Sequence, residues 1–371
     1  LKNLLNIIMK RIMNIRKIYR IADGENSTLT GMNGGDIESP DGSMIVYASK
    51  PDLSESYTEL WVCNRDLTGH RKVYTLSCMN HNGPSASFVG NDTVVFRDES
   101  DGILSFILYD VNRNEEKSRV YGKMGHRASG GMLPFSVREG QLLKNNAFPE
   151  IKECGVYMMN VRTGKITYHI SDEEINEIAL SHGLGINPNT CDVSHLQLSP
   201  DCSAVMMRMG VPNCPTFGAL GCMDLATRKT HLISDKPVHQ LWFDNDTYMA
   251  TRQFEIDGRI DMATSYIARF SKDGEELEVL GGIGNHIDGN ADRTLFAGDR
   301  CYPGYAANVY VYERGNKTPL AEIEIADLPE VVWKRQAHPN PSFAGNGRRL
   351  YFKRPVSNDR TEASFIETDE I

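Results

Sequence analysis

Short runs in which apolar and polar residues alternate recur along the whole chain, each bounded by Gly, Asp or Asn. Leu60-Trp-Val-Cys63, Val156-Tyr-Met-Met159 and Tyr266-Ile-Ala-Arg-Phe270 are examples, and such runs read as β-strands. The strands belong to a repeat: a small polar loop, often with a histidine, then a turn, then a β-rich run. Seven copies begin at Asn33, Asn80, Gly125, Ser194, Val238, Asn285 and Ala337. In the third copy the turn is expected at Arg138-Glu-Gly140, with Gln141-Leu-Leu143 after it. From His81 onward the repeat histidines are spaced 45, 69, 44, 47 and 52 residues apart. A period of this size with about four strands per copy predicts propeller blades.

The expected fold is all-β, a single seven-bladed β-propeller over residues 16–371, preceded by an N-terminal extension over residues 1–15. Arg16-Lys-Ile-Tyr-Arg-Ile21 is expected to close the ring as the outer strand beside the C-terminal strands, which removes exposed edges. The 69-residue interval holds an insertion. There Ser171-Asp-Glu-Glu174 is a capping box, with Ile175, Ile178 and Ala179 following at helical spacing, so a short helix is expected at one rim.

Composition narrows the function classes. With 40% hydrophobic and 24% charged residues, the 371-residue chain can bury a core. Its 40 basic and 49 acidic residues give a net charge of -9, which argues against broad affinity for nucleic acid. No run of uncharged apolar residues is long enough for a transmembrane helix, so no membrane partner is expected. The apolar N-terminal stretch is broken by Lys10, Arg11, Arg16 and Lys17 and reads as not secretory. Eight cysteines, none in Cys-x-x-Cys spacing, read as buried free thiols in a reducing compartment, so a cytoplasmic location is expected.

Of 10 histidines, six hold the same place in the repeat: His81, His126, His195, His239, His286 and His338. Equivalent positions in a propeller lie on a ring about its axis, so these imidazoles converge. Neutral imidazole binds transition metals and serves as a general base near neutral pH. Arg208, Arg127, Arg335 and Asn340 lie close to the repeat motifs and suit a carboxylate. Arg208 stands out because it ends the apolar run Ala204-Val-Met-Met207, where an unpaired charge is costly. It is expected in a polar cavity or against a ligand. No nucleophile elbow, phosphate loop or zinc-protease helix is present. Gly281-Gly-Ile-Gly284 reads as a turn, as does Ser39-Pro-Asp-Gly42.

Three stretches carry a family resemblance. They are His338-Pro-Asn-Pro-Ser-Phe343 with Gly347-Arg-Arg-Leu-Tyr-Phe352, Gly284-Asn-His286 with Ala297-Gly-Asp299, and His195-Leu-Gln-Leu-Ser-Pro-Asp201 with Arg208. In these the chain resembles the propeller polysaccharide lyases, oligogalacturonate lyases most closely and ulvan lyases more distantly. The resemblance implies metal-assisted β-elimination on uronic-acid oligosaccharides such as those of pectin. That family typically carries His-Pro-His-Pro in the last blade and a nearby Gln, which with a histidine of the preceding blade bind a divalent metal, usually manganese. Carried over, the ligands are His286, Gln336 and His338, and Asn340 stands where the family has its second histidine. The base implied is His239, with His195 in reserve. Arg208 is the partner of the substrate carboxylate, and His81, His126, Arg127 and Arg335 contribute to binding an acidic oligosaccharide. Two other readings stay open. One is a non-catalytic, TolB-like propeller that binds a ligand or protein. The other is a different uronate-active enzyme, including a hydrolase using acids such as Asp36, Asp192 or Asp288.

Overall fold

In a computed structural model, the residues described are 13–14, 17–22, 27–29, 35–49, 58–77, 84–181, 193–209, 219–233, 237–256, 259–261, 264–301, 307–326, 338–357 and 360–371. The repeat folds as seven antiparallel sheets arranged as the blades of a propeller. Blade 1 runs from Ser27–Thr28 to Arg71–Leu76, blade 2 from Ser87–Phe88 to Glu115–Tyr121, and blade 3 from Lys123–Met124 to Ile166–Ser171. Blades 4 and 5 run from Val193–Leu198 to Thr230–Ile233 and from Pro237–Trp242 to Glu276–Gly281. Blade 6 runs from Ile287–Gly289 to Ala321–Ala326, and blade 7 from Ser342–Phe343 to Thr361–Glu367.

Each gap between neighbouring blades is filled by its own apolar cluster, as strands with alternating burial require. Val46, Val62, Phe88 and Phe96 fill the gap between blades 1 and 2. Ile37, Tyr47, Tyr351 and Phe365 fill the gap between blades 1 and 7, so the ring is closed by packing as well as by strand pairing. Tyr19–Arg20, within the stretch expected to close the ring, pairs antiparallel with Thr361–Glu367 as the outermost strand of blade 7. The Tyr19 ring stacks on Phe365 with centroids 5.0 Å apart. Tyr19→Ala removes this stack from the clasp and is expected to cost about 1–2 kcal/mol in urea unfolding. An unchanged midpoint would show that the clasp contributes nothing. Met13–Asn14, inside the stretch read as an extension, runs parallel beside Ala321–Ala326 and adds a fifth strand to blade 6.

The expected helix is present as Asp172–Ser181, with the Glu174 amide donating to Ser171 Oγ at 3.1 Å and Ile175 and Ala179 buried. In blade 3 one expectation fails. Gln141 and Leu142 lie in a single helical turn, Glu139–Leu142, and the strand precedes it at Met132–Val137. Gln141 Oε1 accepts the Arg138 amide at 2.9 Å, so the side chain caps the turn instead of lining a strand face. The hairpin Glu255–Ile256 with Arg259–Ile260, unforeseen from the repeat, follows the second strand of blade 5. Among the described residues, no helix is long and apolar enough to cross a membrane.

Candidate active site

The site begins with a backbone irregularity. In blade 4, Ser194 pairs with Arg208 and Gln197 with Met206, so two residues of the inner strand face one of its neighbour. Blade 5 repeats this bulge, with Val238 on Thr251 and Leu241 on Met249. The first extra residue is a histidine in both, and both are left-handed: His195 and His239 each have φ 54°. A bulge with a left-handed first residue bends the strand and re-aims the side chain, and glycine is the residue that takes this geometry without strain. Histidine, which enters this region more readily than most side chains, holds both positions.

The bulges bring the imidazoles together. The His126 and His195 ring centroids are 4.8 Å apart, those of His239 and His286 4.5 Å, and those of His286 and His338 5.1 Å. Five of the six repeat histidines therefore share one site, as their equivalent positions require, and His81 lies outside the described residues. Burial is the main reason that three of them stay neutral. His126 is held well below the usual imidazole range by burial and then by the charges of His195, Arg97 and Arg208. His195 is pushed down to about 3, by burial first and Arg208 next. His239 is likewise held low by burial, with His286, His195 and Arg208 adding to it.

A second ring surrounds the first. The fifth residue of the second strand in blades 1 to 7 is Ala48, Arg97, Ser136, Arg208, Thr251, Asp299 and Lys353. Each sits opposite the third strand in the same register, for example Arg97 on Phe106, Arg208 on Leu220 and Lys353 on Ala363. Of these, Arg97, Arg208 and Asp299 lie near the imidazoles and act on them through their charge. Arg208 is 2% exposed, and its Nε donates to Gln240 Oε1 at 3.1 Å. Gln197 Nε2 in turn donates to the Gln240 carbonyl at 2.6 Å and lies 3.3 Å from His126 Nδ1. Lys353 is as buried as Arg208, and burial lowers its ammonium to about 8. Of this ring, Arg208 was given a role from sequence and Asp299 was named only within a stretch that carries the resemblance. The signal for the others is a polar residue at the end of an apolar strand, visible once the repeats are aligned on their turns.

Blade 6 prepares a group that can hold a metal. A Cβ on Gly298 would sit 2.6 Å from the Gly284 Cα, so two glycines are needed for these backbones to approach. Gly284 thus does more than make a turn. The close approach puts Asp299 under His286: the His286 amide donates to Asp299 Oδ1 at 2.9 Å, and His286 Nδ1 lies 2.9 Å from Oδ2. Burial alone would raise the Asp299 carboxyl, but the His286 imidazole and these hydrogen bonds outweigh it and hold it low. Such a carboxylate fixes the tautomer and orientation of a ligating imidazole. One donor atom each of His286, Cys301 and His338 lie within 4.8 Å of one another. Cys301, one of the buried free thiols, packs 3.8 Å from His286 Nδ1 and accepts from Asn285 Nδ2 at 3.1 Å. Asn340 is buried and left-handed at φ 46°, a conformation that Asn tolerates better than most residues. Its amide donates to Asp299 Oδ2 at 3.0 Å, and its Oδ1 has no hydrogen-bond partner among the described residues. A buried orphan carbonyl beside two imidazoles fits a cation ligand. Gln336 and Arg335 lie outside the described residues.

Arg127 is not brought to the imidazoles. Its Nη2 is 3.7 Å from Asp36 Oδ1, and it lines a cavity of about 220 Å³ with Gln197, Trp242, Asp288 and Arg293. This cavity also touches Leu198 and Pro200, beside the turn at the far end of the inner strand from His195. Asp36 pairs with Arg127, and Asp288 lines the cavity beside Arg293. Asp288 accepts from the Gly289 and Phe343 amides at 2.8 Å each, which ties its carboxyl to the backbone. Asp192 lies outside the described residues.

The chain is similar to an oligogalacturonate lyase solved in complex with manganese, at 15% identity and a TM-score of 0.65, covering 94% of this chain and 92% of that one. The chain has the fold of the oligogalacturonate lyases. An oligogalacturonate lyase from Vibrio parahaemolyticus matches at 13% identity and a TM-score of 0.62, covering 97% and 99% of the two chains. The hydrazine synthase of Kuenenia stuttgartiensis matches at 9% identity and a TM-score of 0.50, with 94% and 99% covered. No family model and no curated protein matches the sequence. At these identities the likeness carries the architecture and not the activity.

Proposed function

We propose that the chain is a lyase that cleaves uronic-acid oligosaccharides by β-elimination. The observation that carries this reading is the juxtaposition of a buried guanidinium, Arg208, with neutral imidazoles in one polar group. β-Elimination at a uronate needs a cation on the C6 carboxylate, which makes the C5 proton acidic, and an unprotonated base to remove it.

Arg208 offers the fork that matches a carboxylate. His239 takes the C5 proton; its neutral state is the one a base requires, and the incoming anion offsets the cationic neighbours that lower its basicity. As the C5–H pair becomes the C4=C5 bond, the C4–O bond breaks and the leaving oxygen takes a proton from water. His286, oriented by Asp299, and His338, supplemented by the Asn340 carbonyl and the Cys301 thiol, are the residues that would hold a divalent ion. Such an ion supplies Lewis-acid neutralisation of the same carboxylate. Manganese is the ion named with one structural neighbour.

The test is to mix the chain with oligogalacturonates and follow the ultraviolet absorbance of the unsaturated uronate, with and without chelator. Absorbance should rise, and chelator should slow it. No product from any uronic-acid oligosaccharide would sink the lyase reading in favour of a ligand-binding propeller. A separate measurement addresses the ion: purified His338→Ala should carry less bound metal than the parent chain, and equal content would remove that role.

A further inference from the structure

The donors gathered beside blade 6 differ in chemical softness. His286 and His338 offer imidazole nitrogens, Cys301 a sulfur, and Asn340 its buried carbonyl oxygen. Among the described residues no carboxylate joins the His286, Cys301 and His338 group. Asp299 is occupied instead by the His286 amide and imidazole and by the Asn340 amide. Carboxylate, carbonyl and water oxygens suit a hard ion such as manganese, whereas thiolate and imidazole suit zinc and its neighbours in the series.

The surroundings of Cys301 favour a ligating sulfur. The residue is 1% exposed, so solvent does not compete for it. Asn285 Nδ2 donates to its Sγ at 3.1 Å. Sulfur accepts such a bond weakly as a thiol and more strongly once charged. One donor atom from each of the three residues lies within 4.8 Å of the others, and a shared ion would draw them to about 3.5 Å. Burial and then Asp299 keep the free thiol protonated, and a bound ion displaces that proton to solvent.

We propose that Cys301 ligates the ion as a thiolate beside His286 and His338, so that the site selects a thiophilic divalent ion, zinc or cobalt(II), over manganese. This rests on the reading that these residues hold a metal. Nitrogen donors alone already bind zinc more tightly than manganese, so the experiment isolates the share that belongs to sulfur.

The metal-free parent chain is loaded with cobalt(II), and zinc and manganese affinities are measured by equilibrium dialysis. Bound cobalt should show an intense near-ultraviolet band from thiolate-to-metal charge transfer, and the band should vanish when zinc displaces the cobalt. Cys301→Ser should remove the band and lower the ratio of zinc to manganese affinity by about 10- to 100-fold. His338→Ala should weaken binding of all three ions. The band is read on the parent chain, so the proposal is tested even where Cys301→Ser does not fold. Cobalt bound to the parent chain without the band overturns the thiolate ligand and leaves the metal reading intact. A band that survives in Cys301→Ser belongs to another cysteine and overturns it equally, as does an unchanged affinity ratio. If none of the three ions binds the parent chain, the metal reading itself fails, and this inference with it.

Discussion

Replacing His239 with alanine is expected to lower turnover on oligogalacturonate by about 10²–10⁴-fold, the range for loss of a general base. The base acts only in the chemical step, so the loss should appear in kcat with little change in KM. His239 is left-handed at φ 54°, and alanine carries the same Cβ, so His239→Ala keeps that backbone cost and adds the loss of the ring. His239→Asn is the cleaner variant, because Asn tolerates that conformation. It should be equally slow and should unfold nearer the parent midpoint. Rates near those of the parent chain in His239→Asn would move the base to His195, the other bulged histidine. Arg208→Ala should cost about 10²–10³ in kcat/KM, the usual loss when a preorganised donor to developing charge is removed. It should also raise KM, because the carboxylate meets the guanidinium before reaction. Arg208→Lys should restore only part of this, since a point charge cannot reproduce a bidentate contact. Full activity in Arg208→Ala would place the carboxylate elsewhere.

The ring architecture was legible because a propeller writes its period into the chain. Turns such as Ser39-Pro-Asp-Gly42 and Ser199-Pro-Asp-Cys202 punctuate each blade in the same way, and Cys202 takes the left-handed place of Gly42 with φ 60° against 70°. The histidine convergence followed from that period alone. What failed to show was anything that depends on where a strand bends. The bulges that aim His195 and His239 leave no mark in the alternation, because one extra residue looks like a small slip in spacing. Arg97 and Lys353 received no role from sequence, and Asp299 entered only within the stretch Ala297-Gly-Asp299. The end of an apolar run marked Arg208, but only alignment of all seven blades extends that signal to the other three. Cys301 and Asp299 lie two residues apart, and both reach His286 only because Gly284 and Gly298 let two backbones touch. Arg127 shows the converse, since proximity to His126 in sequence placed it in the same site when it faces Asp36 instead.

Stability should fall steeply in mild acid, before the carboxylates begin to titrate. His195 has its folded-state value lowered to about 3, and His126 is also held well below 6.5, in both cases chiefly by burial. In the unfolded chain each returns to about 6.5. Above that pH both forms are neutral and these groups contribute nothing. As pH falls through 6.5, the unfolded chain takes up protons that the folded chain refuses, so unfolding becomes easier. The loss continues until the folded values are reached. Between pH 7.5 and 5.5 His195 contributes about 1.4 kcal/mol of lost stability, and His126 adds to the loss in the same direction. Urea midpoints across this range measure it. The double variant His126→Asn with His195→Asn should lose at least about 1.4 kcal/mol less over the same interval, and asparagine suits the left-handed backbone at position 195. An anionic ligand that engages Arg208 should also flatten the slope, because it removes the cationic repulsion that helps keep His195 neutral. A slope equal in the parent chain and the double variant would mean that water reaches these imidazoles freely. They would then be ordinary bases, and the desolvation on which the site depends would be lost.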